Sequence, residues 1–244
     1  MNPYGWKIID CGLTNSPQTG NVCNPIYLSQ NPVSISDYHI PEPWNGDIEH
    51  APILFVSLNP GYTQGEDYPY YNNPNFSSSC NGLNISSTET FFDERFEGKY
   101  VKHDNGKKFK VLMTNGQYKS VHGFWNYVYN ISTKLLGKSN VIPGKDFAIT
   151  EIIHCKSSSV NVIPEACFDE CMKRHFKAVL MAASNIRYLV VVGRQTRERI
   201  AAFFNITNVQ KYKWYDISID DDNVKVIFVD HNAGGGTARK VPQP

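Results

Sequence analysis

A chain of 244 residues, 41% hydrophobic and 13% aromatic, has enough apolar material for one full core. Its net charge of +1 gives no global basic footprint, so any nucleic-acid contact has to be local. No apolar run approaches a membrane span, Met1–Cys11 lacks the pattern of a signal peptide, and six cysteines in a chain of this size suggest thiols or a metal site in a reducing compartment rather than a disulfide scaffold. A single-domain cytoplasmic monomer, spanning 1–244 and not associated with membrane, is expected.

In chain order, 1–50 reads as an irregular N-terminal segment draped over the sheet, with Cys11 and Cys23 enclosing a polar stretch. Ile53–Leu58 is the first strand, a continuous apolar run of the kind buried on both faces of a parallel sheet. It stops at Asn59-Pro60-Gly61. Pro60 cannot donate to a ladder, and Gly61 permits a tight turn. A short polar residue, Asn59, is thereby placed at the carboxyl end of a buried strand, where open α/β sheets bind ligands. An ordinary strand-to-loop turn fits the same residues.

Tyr62–Phe92 is a long polar stretch whose Tyr68-Pro69-Tyr70-Tyr71 could wall a pocket or simply lie at the surface. The region 97–115 reads as an inserted β-hairpin, with Asp104-Asn105-Gly106 as the turn and Lys99, Lys102, Lys107, Lys108 and Lys110 along it. These lysines suit an edge-protecting solvated face or a flap that reaches phosphates. Phe124–Leu136 has helical spacing. Phe147–Ile153 is a second strand ending at His154-Cys155. A helix begins after Pro164 and runs to about Ala183. Arg187–Val192 is a third strand, broken by Gly193 and followed by a helix over Gln195–Phe204. Val224–Val229 is the fourth, leading to His231-Asn232-Ala233 and a glycine run. The alternation predicts an α/β fold, doubly wound, with a mainly parallel four-stranded sheet flanked by helices.

Three islands carry a resemblance. Ser57-Leu58-Asn59-Pro60-Gly61 resembles the first motif of the uracil-DNA glycosylase superfamily, with Ser57 in place of the usual Gly. Ile149-Thr150-Glu151-Ile152-Ile153-His154-Cys155 resembles the base-reading strand end of its iron–sulfur branch, and Cys171 follows Cys155 at that branch's spacing. Val229-Asp230-His231, with Arg239 downstream, resembles the entry to the last motif, although its Pro and Ser are missing. As a layout the resemblance covers roughly Pro52–Arg239.

It implies a monofunctional DNA glycosylase acting on a flipped pyrimidine, in base excision repair or in defence against foreign DNA. Asn59 is then the catalytic residue that orients water, and His231 donates to O2 of the departing base. Glu151 reads the base edge. Tyr62, Tyr68 and Tyr70 are candidates for the aromatic wall. Ser157, Ser158, Gly234, Gly235 and Arg239 would meet the DNA backbone. A [4Fe–4S] cluster on Cys11, Cys23, Cys155 and Cys171 is implied, though the gap between the first two is wider than that branch uses. Zinc on Cys155, Cys167 and Cys171, or plain buried thiols, are the alternatives.

Glu151 stands where uracil readers carry Asn. An ionised carboxylate only accepts, so it would repel uracil O4 and suit the N4 amino group of cytosine. A C5-substituted cytosine is the expected substrate. Uracil or mismatched thymine is the alternative, and a non-catalytic binder of damaged or modified DNA is a second.

Overall fold

The computed structural model describes residues 3–11, 22–31, 37–76, 82–104, 108–121, 123–231 and 240–244. Its centre is a five-stranded sheet in the order β5-β1-β6-β8-β7. Strands β1 (Ile53–Ser57), β5 (Ala148–Glu151), β6 (Tyr188–Val192) and β8 (Asp222–Val229) run parallel, with Phe55 opposite Ile149 and Val190, and Val190 opposite Ile227. The fifth strand, β7 (Trp214–Ile219), joins the edge antiparallel to β8. The sheet therefore has one strand more than the four expected. Asp220 and Asp221, both at positive φ, make the two-residue turn between β7 and β8.

Successive side chains leave opposite faces of a strand, and each face has its own core. Leu54, Val56, Leu189, Val191, Val226 and Phe228 pack on one side. They meet helices α5 (Glu165–Cys171), α6 (Lys177–Ala182) and α7 (Arg194–Phe203). Ile53, Phe55, Val190, Val192, Ile227 and Val229 face the other way, against α4 (Phe124–Leu136). Helices on both faces of a mostly parallel sheet make the chain an α/β protein compatible with a doubly wound fold.

The expectation of an irregular N-terminal segment is corrected: α1 (Pro3–Ile9) packs on α6, and α2 (Asn24–Ser29) starts with Pro25 in its first turn. The stretch after them lies antiparallel beside β5, where Asn45 exchanges both backbone hydrogen bonds with Ile149 and closes the open edge. The polar stretch before Phe92 also contains a helix, α3 (Ile85–Asp93), capped by the Asn84 side chain accepting from Ser87 N. In the 97–115 region, β2 (Val101–Lys102) pairs with β3 (Lys110–Leu112), and β4 (Tyr118–Ser120) adds a third antiparallel strand. Asn105, Gly106 and Lys107 lie outside the described residues. The helix expected from Pro164 to Ala183 is divided between α5 and α6 by a π-turn, Met172–Phe176.

Leu189 is fully buried in the central strand. Leu189→Ala should lower stability by roughly 2–5 kcal/mol, read as a fall in the urea midpoint with an unchanged m-value.

Candidate active site at the sheet's carboxyl edge

Strand order decides where a ligand fits. From β1 the chain reaches β5 on one side, and from β6 it passes through α7 to the edge strand β7 and back to β8 on the other. The neighbours β1 and β6 thus diverge at their carboxyl ends, which is the topological switch point where open α/β sheets bind ligands. Asn59 follows β1 and Gly193 follows β6.

Asn59 is held by a strap. Beyond β5 the chain keeps pairing with the extension of β1: Ile152 N donates to Ser57 O, Ile153 N to Leu58 O, Ser157 N to Pro60 O, and Tyr62 N to Ser157 O. The Asn59 amide nitrogen then donates to Pro60 O at 3.1 Å and to Ser157 Oγ at 2.7 Å. A carbonyl can only accept, so Pro60 O fixes which end of the amide is nitrogen. Among the described residues nothing donates to Asn59 Oδ1, which keeps its acceptor capacity.

His231 lies exposed just beyond β8, its ring stacked parallel on Phe124 at 5.8 Å. Two strand spacings separate the ends of β1 and β8, roughly 10 Å. Between them Gly193 has φ +95°, and a Cβ there would stand 3.6 Å from His231 Cβ. Asp230 anchors the strand end: its backbone carbonyl accepts from Tyr127 OH, and its carboxylate from Lys211 and Tyr212.

Glu151, at the end of β5, is 4% exposed. Its Oε1 accepts a long 3.4 Å hydrogen bond from Ser57 Oγ, and its Oε2 is buried with no partner. Around it lies a buried charge network that sequence reasoning did not find. Lys156 Nζ bonds Glu42 Oε2 at 3.1 Å and lies 3.6 Å from Glu66 Oε2, while Arg95 pairs with Glu66. Asp67, also buried, takes its donors from Asn73 and Asn75. The two cations thus pair with Glu42 and Glu66; Asp67 is served by amides, and among the described residues Glu151 has only the Ser57 hydroxyl. Burial, and then the nearby Glu42, push its carboxyl well above the ordinary value. Glu66 shows the opposite balance: burial works to raise it, but Lys156 and Arg95 hold it below its usual range.

Tyr68 is fully buried. His39 covers one ring face at 4.6 Å, Lys156 Nζ stands 4.4 Å from the ring centre, and the hydroxyl donates to Ile40 O. Tyr68 is therefore core. Tyr62 and Tyr70, half-buried, contact His39 by edge and face. Ser157 is buried and occupied with Asn59, so its role is to position that residue. Ser158 is exposed. Gly234, Gly235 and Arg239 lie outside the described residues. Burial holds His39 neutral, with its pKa brought down to about 3.

The cysteines gather on the α5 side of the sheet. Cys11, Cys23, Cys155, Cys167 and Cys171 are all buried. Cys167 Sγ donates to Cys23 Sγ at 2.9 Å, an interaction that lowers the Cys23 pKa. The π-turn brings His175 Nε2 to 3.4 Å from Cys11 Sγ. Among the described residues no group of three or more His, Cys, Asp or Glu side chains is placed to hold a metal ion.

No family model and no curated protein matches this chain.

A carboxyl whose folded pKa is raised contributes stability below its unfolded pKa, near 4.5, and loses it as pH rises through the folded value. Glu151→Gln cannot titrate. The variant should therefore melt above the wild type at neutral pH, with a gap that widens between pH 5 and pH 8. A gap that narrows over that range would contradict the assignment.

Proposed function

We propose that the chain is a monofunctional DNA glycosylase, hydrolysing the N-glycosidic bond of a pyrimidine flipped out of DNA. The observation that carries this reading is Asn59: at the switch point its amide hydrogens are engaged by Pro60 and Ser157, which leaves Oδ1 as its acceptor. Glycosidic cleavage suits such a group. The C1′–N1 bond breaks ahead of attack, its electron pair leaves with the base, and the sugar becomes oxocarbenium-like. A water held by one oriented acceptor can then add to C1′ and release its proton to solvent, so a strong general base is not needed. His231, across the Gly193 gap, is placed to donate to O2 of the base as negative charge develops there.

Base reading follows from the protonation of Glu151. A neutral carboxylic acid offers one donor and one acceptor. That pair matches N3–H and O4 of uracil or thymine, and equally N3 and the N4 amino group of cytosine. An ionised carboxylate would favour the N4 amino group of cytosine, while burial and Glu42 push the Glu151 carboxyl toward its neutral form, which pairs with either edge. The proposed substrate class is pyrimidines in general, including uracil, mismatched thymine and C5-substituted cytosines, whether met in repair or in defence.

The test is base release from oligonucleotides carrying uracil, mismatched thymine or 5-substituted cytosines. Wild type should release at least one of these bases. Asn59→Ala should slow release by about two orders of magnitude while retaining DNA binding. Ser157→Ala, which frees the Asn59 amide to rotate, should slow it by about tenfold or more. Persistent binding with no base released by the wild type would replace this reading with that of a non-catalytic binder.

A further inference from the structure

We infer that the outer face of the β2-β3-β4 sheet is a docking platform for the phosphate backbone of DNA, delivering the strand to the Asn59 site; this rests on the glycosylase reading. The inner row of the small sheet is apolar. Val101 pairs with Val111 and, with Phe109, packs toward Phe96 and Trp125. The outer row is basic. Lys102 stands directly opposite Lys110, and both are exposed. Lys108 is exposed beside them, and Lys99 and Lys119 are exposed at the margins, Lys119 in register with Val111 of the inner row. Among the described residues none of the five has a carboxylate at ion-pair distance; the neighbouring Glu97 is engaged by Lys145.

Edge protection does not account for this arrangement. Lysines that guard a sheet belong on its outer strands, but Lys110 is on the central strand. Like charges directly opposite each other destabilise a sheet, and among the described residues no carboxylate stands at ion-pair distance from this pair. A polyanion would. The aromatic content fits the same occupant: Tyr118 lies on the outer face with Lys102 Nζ 4.0 Å from its ring centre. Tyrosine beside lysine is a surface for phosphates and stacked bases.

The platform is tied to the site at both ends. Beyond β3, Met113 pairs with Glu66, Asp67 N donates to Leu112 O, and Thr114 N donates to Gly65 O, all in the loop that follows Asn59-Pro60-Gly61. Beyond β4 the chain enters α4, whose first residue, Phe124, stacks on His231. A strand lying on the lysines is therefore led toward the gap between Asn59 and His231.

The experiment measures equilibrium binding of a fluorescent oligonucleotide across a salt series, separately from base release. Each phosphate contact contributes about 0.9 to the slope of log K against log salt on duplex, and about 0.7 on single strands. The triple variant Lys102→Gln/Lys108→Gln/Lys110→Gln should bind at least tenfold more weakly, with a slope flatter by roughly two to three. Its melting temperature should be unchanged or raised, because like-charge repulsion is relieved. Lys173→Gln/Lys177→Gln, exposed on the opposite side of the central sheet, should bind as the wild type does. Equal affinity and slope in the triple variant would overturn the platform and leave the glycosylase reading standing if wild type still releases base. Loss of base release in Asn59→Ala alone leaves the platform intact. A wild type that binds no DNA at all overturns both. Selective capture of an acidic polypeptide such as polyglutamate, in place of DNA, would overturn the platform's assignment to nucleic acid.

Discussion

One ammonium group joins the parts of the site. Lys156 leaves the strap beyond β5 and reaches Glu42 on the segment closing the sheet edge and Glu66 in the loop after Asn59. Arg95, just past α3, completes the network through Glu66 and lies 4.1 Å over the Phe91 ring. Four stretches far apart in sequence are thus fixed by charges that burial makes costly to leave unpaired. Breaking such a pair from one side costs about 3–5 kcal/mol, so the network constrains geometry more surely than it adds stability. The strap it anchors is also what holds the amide of Asn59.

The same network sets the character of Glu151. Two cations are committed to Glu42 and Glu66, and burial together with Glu42 pushes the Glu151 carboxyl well above its ordinary value. A buried acid with one partnerless oxygen is an unfavourable group for a folding domain to hold, and it is retained at the end of a strand beside the switch point. The fold thus places at the carboxyl end of one sheet an oriented amide, an exposed imidazole and a buried acid whose pKa is raised. On the proposed reading these hold water, meet developing negative charge and read the pyrimidine edge.

Much of the frame was legible because parallel strands are continuous apolar runs. Ile53–Ser57, Tyr188–Val192 and the helix Phe124–Leu136 could be read from apolar pattern alone. The missed strand Trp214–Ile219 alternates in its second half, but its turn is Asp220-Asp221 rather than an Asn-Gly signal. Helix α3 is written in Ser and Thr, and its one local sign was Asn84 three residues before Ser87. In the site, Asn59, His231 and Glu151 were accessible from their positions at strand ends. Tyr68 was misplaced because a tyrosine in a polar loop gives no sign of a partner such as His39. The network of Glu42, Glu66, Arg95 and Lys156 had no local signal at all, since its members come from separate segments. Glu42, between two prolines, could have drawn notice as a charge on rigid backbone.

The measurement that bears most directly on this account is the titration of the Glu151 side-chain carboxyl by carbon NMR in the intact protein, assigned through Glu151→Gln. The account predicts a carboxyl signal that stays in its protonated position through neutral pH, with an apparent pKa well above the ordinary glutamate value of about 4.3. A signal that titrates in the ordinary carboxylate range would contradict it. It would return the base-reading group to an acceptor-only carboxylate.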